Sequence, residues 1–130
     1  KSIAAALGAD EALAEDTGFE SDSFDLVLSY IVFHEVPVQK MREILAETYR
    51  VLRPGGSFTI YEFPSNDKGQ VSASTRFLVD YDSRNNCEPY SPDFVAADFR
   101  GIIAEAGFEV ADGPGLSNDF LQSIVATKPA

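Results

Sequence analysis

Residues 24–33 read FDLVLSYIVF and residues 49–63 read YRVLRPGGSFTIYEF, and these two stretches, with the segment between them, decide the fold. The first is an almost unbroken apolar run rich in β-branched and aromatic side chains, the pattern of a strand buried on both faces of a parallel sheet. Phe24–Phe33 is therefore read as a central strand. Between the two stretches, Met41, Ile44, Leu45, Thr48, Tyr49 and Leu52 recur at helical spacing, while Lys40, Arg42, Glu43, Glu47 and Arg50 occupy the opposite side. One amphipathic helix over Val38–Leu52 is expected. Pro54 cannot continue that helix and disfavours helical geometry at Arg53, and Gly55-Gly56 permits a tight reversal into a second strand, Ser57–Phe63.

Further out, residues 64–90 lack a steady period and read as an insertion or lid with a short helix near Ser74–Asp82. Ser91-Pro92-Asp93 opens another helix, with serine as N-cap, proline at the first helical position and an acid favoured by the helix dipole. Val95, Phe99, Ile102, Ile103 and Ala106 give that helix its buried face, and Gly107 ends it. Phe108–Ala111 and Leu121–Thr127 are strand candidates around Asp112-Gly113-Pro114-Gly115, which reads as a turn rather than a phosphate loop. The last strand is expected to be antiparallel. The alanine-rich run Ile3–Leu7 favours a leading helix. Such alternation predicts an open α/β sheet whose right-handed crossovers place helices on both faces.

The 130 residues fit a single domain, 1–130. The 21 acidic residues against 10 basic ones give a net charge of −11, which repels phosphate backbones and anionic lipid, so neither nucleic acid nor a membrane is an expected partner. No window approaches the ~20 apolar residues of a membrane span. Cys87 is the only cysteine and His34 the only histidine, which excludes an internal disulfide and leaves too few soft ligands for a zinc site. A reducing cytoplasm and no metal are the expectations. The chain opens at Lys1, before which an initiator methionine is not normally removed, so this start is expected to be a cut end, and the run Ile3–Leu7 is not expected to be a signal peptide.

In open α/β sheets, ligands bind beyond the carboxyl ends of the strands. That rule selects Ser29, Tyr30, Phe33, His34 and Glu35 after the first strand, and Glu62–Ser65 after the second. His34 is the candidate general base, because an imidazole near neutral pKa can take a proton from a substrate hydroxyl. Phe33 is a candidate substrate contact. Phe77, Tyr81 and Tyr90 of the 64–90 segment are candidates for an aromatic wall around the substrate. With one histidine and no strained nucleophile turn, a Ser-His-Asp site is not expected.

Three motifs in order, Ala14-Glu15-Asp16-Thr17-Gly18-Phe19, Ser23-Phe24-Asp25-Leu26-Val27 and Tyr49-Arg50-Val51-Leu52-Arg53-Pro54-Gly55-Gly56, resemble the class I S-adenosylmethionine-dependent methyltransferases. The resemblance implies a Rossmann-like open sheet, incomplete here, with this chain supplying strands four to seven of the methyltransferase fold. It implies S-adenosylmethionine as cofactor, with Asp16, Thr17, Gly18 and Phe19 near the adenine and Ser29 and Tyr30 beside the methionine part. Leu13 stands where the family often has an aspartate. Glu62 falls at the end of the family's fifth strand, where a carboxylate orients a polar or cationic acceptor.

A complete enzyme of that family also has an Asp-x-Gly-x-Gly-x-Gly turn after its first strand and an acid after its second. The glycines of this chain, at 8, 18, 55, 56, 69, 101, 107, 113 and 115, contain no such spacing. The expected function is therefore the C-terminal portion of a methyltransferase acting on a small-molecule acceptor. The free edge of Phe24–Phe33 is expected to pair with a second copy or with a separate N-terminal piece. The alternative is a non-catalytic α/β interaction domain derived from a methyltransferase, and a nucleotide-dependent oxidoreductase is weaker still without the glycine fingerprint.

Overall fold

The computed structural model describes residues 12–67, 71–111 and 121–130. The expected leading helix at Ile3–Leu7 and the turn at Gly113-Pro114-Gly115 lie outside them. In chain order the elements are β1 (Phe24–Tyr30), a 3-10 turn (Phe33–Glu35), α1 (Val38–Val51), β2 (Leu52–Glu62), α2 (Ala73–Asn86), α3 (Ser91–Ala96), α4 (Phe99–Glu105), β3 (Glu109–Val110) and β4 (Gln122–Thr127). The sheet runs β1-β2-β4-β3, with β1 and β2 parallel and β4 antiparallel to both of its neighbours. The antiparallel last strand and the open α/β sheet are as the sequence predicts. No helix among the described residues is long and apolar enough to cross a membrane.

The first correction concerns β1, which is not buried on both faces; its place at the edge of the sheet is the free edge that the resemblance implies. Pairing Val27 with Phe58 and Ser29 with Ile60 puts them on one face, and Ile124 and Ala126 of β4 join them there. On that face Phe58, Ile60, Ile124 and Ala126 are buried against Phe33, Met41, Leu45, Phe99 and Ile103. The other face leaves Leu26, Leu28 and Tyr30 about 60% exposed. Among the described residues helices do not cover both faces, and handedness explains why. The connections β1-α1-β2 and β2-α2-α3-α4-β3 step in the same direction across the sheet, so two right-handed crossovers place their helices on the same side.

A second correction divides one predicted helix into two. Ser91 lies inside α3, with Tyr90 as its N-cap, and the helix stops at Ala97, which turns extended and accepts Asn66 N–H at 2.9 Å. Asp98 then caps α4 by accepting Gly101 N–H at 3.0 Å. Phe94 and Phe99 still meet, their ring centroids 5.0 Å apart, so the buried face survives the break.

The Arg53–Gly56 segment belongs to β2, as a bulge. Phe24 pairs with Leu52 but Leu26 pairs with Ser57, so β2 advances five residues while β1 advances two. Gly55 takes φ +82, and its N–H donates to Lys128 O at 2.8 Å. The Lys128 ammonium donates to Asp22 Oδ1, Tyr49 O and Leu52 O within 2.9 Å, fixing the junction of α1 and β2 to the end of β4. A Cβ at Gly56 would sit 2.8 Å from Arg53 O and 3.0 Å from Leu52 Cδ2, the first of them backbone that cannot swing away. Gly56→Ala is expected to destabilise the fold by about 1–3 kcal/mol. Urea unfolding should show a lower midpoint at unchanged slope.

Candidate functional site

The loop preceding β1 is held by the polar side of α1. Glu47 Oε1 accepts from Thr17 N at 2.9 Å and from Thr17 Oγ1 at 2.5 Å. Arg50 donates to both Glu47 oxygens, to Phe19 O at 2.7 Å and to Ser21 Oγ at 3.0 Å. Gly18, with φ +72, supplies the turn that lets Thr17 and Phe19 face the helix together. These contacts hold the Glu47 carboxyl far down, from 4.5 to about 2, chiefly through the Arg50 hydrogen bond and despite its burial. Glu47 and Arg50 sit three residues apart on α1, yet nothing in that spacing marks the loop as their target.

A hollow of about 380 Å³ opens between this loop, the free edge of β1 and α1. Its lining includes Thr17, Phe19, Ser29 and Tyr30, four of the six residues expected around the cofactor. Asp16, bridged to Leu13, and Gly18 belong to the loop but do not line it. The hollow is mostly apolar, with Val27, Ile44, Val51 and Phe58 behind it and Thr48 adding a hydroxyl. A slot of this kind suits the flat face of an aromatic base.

At the carboxyl end of β1, Ile31 takes φ +53, a strained value for a β-branched residue. The bend brings Val32 N and Phe33 N to Glu62 Oε2 at 2.9 and 2.7 Å. Glu62 Oε1 accepts from Phe63 N at 2.9 Å and meets His34 Nδ1 at 2.8 Å. His34 and Glu62, separate candidates in the sequence, are therefore one buried pair. Burial, the largest single influence on the imidazole, opposes its charge, but the Glu62 hydrogen bond and the charges of Glu62, Glu35 and Glu88 outweigh it and raise its pKa. Glu88 is the residue that sequence reasoning missed, since no motif links position 88 to position 34.

Other candidates fall elsewhere. Phe33 is sealed in the core between Phe58 and Phe99, so it packs rather than meeting a substrate. Glu62 is fully buried with both oxygens committed, and it reaches an acceptor only through His34. Phe77 and Tyr81 lie on α2, which buries no side chain, and Tyr90 follows it at the start of α3, also exposed. No ring contact joins these three among the described residues.

Residues 4–60 match the family model for a methyltransferase domain. An uncharacterised methyltransferase of Synechocystis sp. is 38% identical over 58 residues, covering 43% of this chain and 27% of that protein. The phthiotriol/phenolphthiotriol dimycocerosates methyltransferase of Mycobacterium tuberculosis is 42% identical over 55 residues, covering 42% of this chain and 20% of that protein. This chain thus spans well under half the length of the curated relatives it matches. Among solved structures, a methyltransferase from Thermotoga maritima aligns at TM-score 0.68 and 19% identity, over 97% of this chain and 67% of its own. One from Bacillus halodurans aligns at TM-score 0.66 and 18% identity, over 92% of this chain and 71% of its own.

The Glu47 clamp has a pH signature. Its folded pKa is depressed, so its stabilisation is present above the ordinary value of 4.5 and lost as pH falls toward about 2. Urea midpoints of the parent and of Glu47→Gln should converge across that window. A gap that stays constant through it would show that the carboxylate does not hold the loop.

Proposed function

Because residues 4–60 match a methyltransferase-domain family model and the sheet shares the fold of solved methyltransferases, we propose that the chain is the C-terminal portion of a class I S-adenosylmethionine-dependent methyltransferase and walls the adenine and methionine side of the cofactor. The observation that carries this reading is the single hollow joining Thr17 and Phe19 to Ser29 and Tyr30. Phe19, itself stacked edge-on against Phe24 at 5.1 Å, offers an aromatic surface for the adenine. Ser29 and Tyr30 line the strand end beside which the methionine part lies. When bound, the cofactor supplies an electrophilic methyl on a sulfonium, and its transfer needs alignment and exclusion of water more than a dedicated acid or base. The chain's part is to fix that alignment through a loop locked to α1 and a strand end locked by Glu62.

The residues present fit the adenosine and methionine side of the cofactor only. The chain has no glycine-rich turn of the required spacing, and the edge of β1 where such a turn's strand would pair is free. We propose that a segment carrying that strand adds to β1. A second copy of these 130 residues would close the edge without bringing the turn, which favours a different segment. The acceptor is a small molecule entering from the His34 side, in the cytoplasm. The exposed apolar face of Leu26, Leu28 and Tyr30 is what supports the second reading, an interaction domain without catalysis.

Calorimetric titration of S-adenosylhomocysteine separates these readings. Binding is expected from a longer protein that includes the glycine-rich turn and to be weak or absent for this chain alone. Micromolar binding by the short chain would refute the need for an added segment. Binding by neither would sink the methyltransferase reading and leave the interaction domain.

A further inference from the structure

The turn after β1 gathers metal-ligating side chains that lie outside the cofactor hollow. His34 is only 3% exposed. Three backbone N–H groups already point at Glu62, so the imidazole meets that carboxylate as a donor through Nδ1, which leaves a lone pair on Nε2. Among the described residues Nε2 itself has no hydrogen bond. The nearest carboxylate oxygens are Glu35 Oε1 and Glu88 Oε2, each 3.9 Å away, and one ligand atom from each of the three residues lies within 4.8 Å of the others.

We propose that His34, Glu35 and Glu88 hold a divalent transition-metal ion of the zinc or manganese kind, with Glu62 as the carboxylate that orients the histidine. The count of one cysteine and one histidine argues against a thiolate zinc site but does not bear on an imidazole with two carboxylates, a donor set that suits both ions. A metal-bound histidine characteristically gives its other ring N–H to a carboxylate, which fixes tautomer and ring orientation, and Glu62 does this from a fully buried position.

Distance supports the assignment. Nitrogen and oxygen ligands stand about 2.0–2.2 Å from zinc, so two on one tetrahedral ion are roughly 3.4 Å apart. The two histidine-to-carboxylate distances of 3.9 Å close to that by about half an ångström, and the two carboxylates, which lie within 4.8 Å, by at most about 1.4 Å. Glu35 and Glu88 can make the move, because neither carboxylate has another hydrogen bond or ion pair among the described residues and both reach solvent, at 60% and 30% exposure. Three protein ligands would leave a coordination position open. An ion there would act as a Lewis acid toward an oxygen or nitrogen of the incoming molecule. Occupancy also removes His34 as a general base, since Nε2 holds an ion or a proton but not both.

The test needs neither cofactor nor acceptor. His34 is the only histidine, so a long-range nitrogen–proton spectrum of the chain shows a single imidazole. Zn²⁺ added to a Cys87→Ser chain is expected to move the Nε2 resonance far more than the Nδ1 resonance, with one ion bound per chain by calorimetry. Mn²⁺ should broaden the same imidazole. Glu35→Gln and Glu88→Gln should each weaken binding by at least about tenfold, and Glu62→Gln by roughly 10–100-fold through the histidine's orientation. Should Glu62→Gln fail to fold, Glu88→Gln decides the matter, because Glu88 lies in the connection between α2 and α3. An Nε2 resonance that neither ion moves, or binding undiminished in His34→Gln and Glu88→Gln, would overturn the proposal.

Discussion

A carboxylate with no exposed surface sits at the end of β2, and the geometry of one end of the molecule follows from the need to satisfy it. Burying an ion without partners costs several kcal/mol, so Glu62 has to be surrounded by donors. Most of them come from the far side of the β1 end. Val32 and Phe33 can present their N–H groups only if the chain leaves β1 abruptly, which is why Ile31 adopts a positive φ at a cost of about 1–3 kcal/mol. The same bend drives the Phe33 ring into the core against Phe58 and Phe99 and turns His34 so that only Nε2 faces outward. Strain, core packing and site geometry are thus one arrangement rather than three.

The loop before β1 is organised on the opposite principle. No buried ion anchors it; a helix grips it from outside. Met41, Leu45 and Val51 turn the apolar side of α1 to the core, and Glu47 and Arg50 on the polar side hold Thr17 and the Phe19 carbonyl. Because α1 is fixed to β2 by its core face and to the end of β4 through Lys128, the loop inherits the position of the sheet, which it touches through Phe19 on Phe24. The two ends of the surface are therefore held differently, by a backbone-satisfied turn at one end and a side-chain clamp at the other.

Much of this was legible in the sequence, and what was missed has identifiable causes. Periodicity marked α1, the short helix expected near Ser74–Asp82 is the longer α2, and the glycines and proline after α1 marked a change of direction that the structure builds as a bulge. The helix beginning at Ser91 read as continuous because its apolar spacing is continuous; the break at Ala97 comes from hydrogen bonds to Asn66 and from the Asp98 cap, tertiary and local choices that spacing does not record. Phe33 read as a substrate contact because a strand-end aromatic and a core aromatic look alike in one dimension. The His34–Glu62 pair was half visible, since both residues were singled out, but their union depends on a turn at Ile31 that no propensity favours. Glu88 reaches His34 from beyond α2, and only the folded chain brings them together.

FDLVLSYIVF is apolar on both faces, as a doubly covered strand should be, yet among the described residues one face and one edge stand open. Both crossovers step the same way, so no helix of the described residues comes round to the bare side, and Leu26 and Leu28 keep an apolar character that only an additional layer would use. The open edge and the hollow are the same place, with Ser29 and Tyr30 facing it from the strand and Thr17 and Phe19 from the loop. On the reading proposed above, a strand that pairs with β1 completes the sheet and walls the hollow in a single step. Cofactor affinity and sheet completion are then linked equilibria, each strengthening the other by mass action, and neither is a property of the 130 residues in isolation.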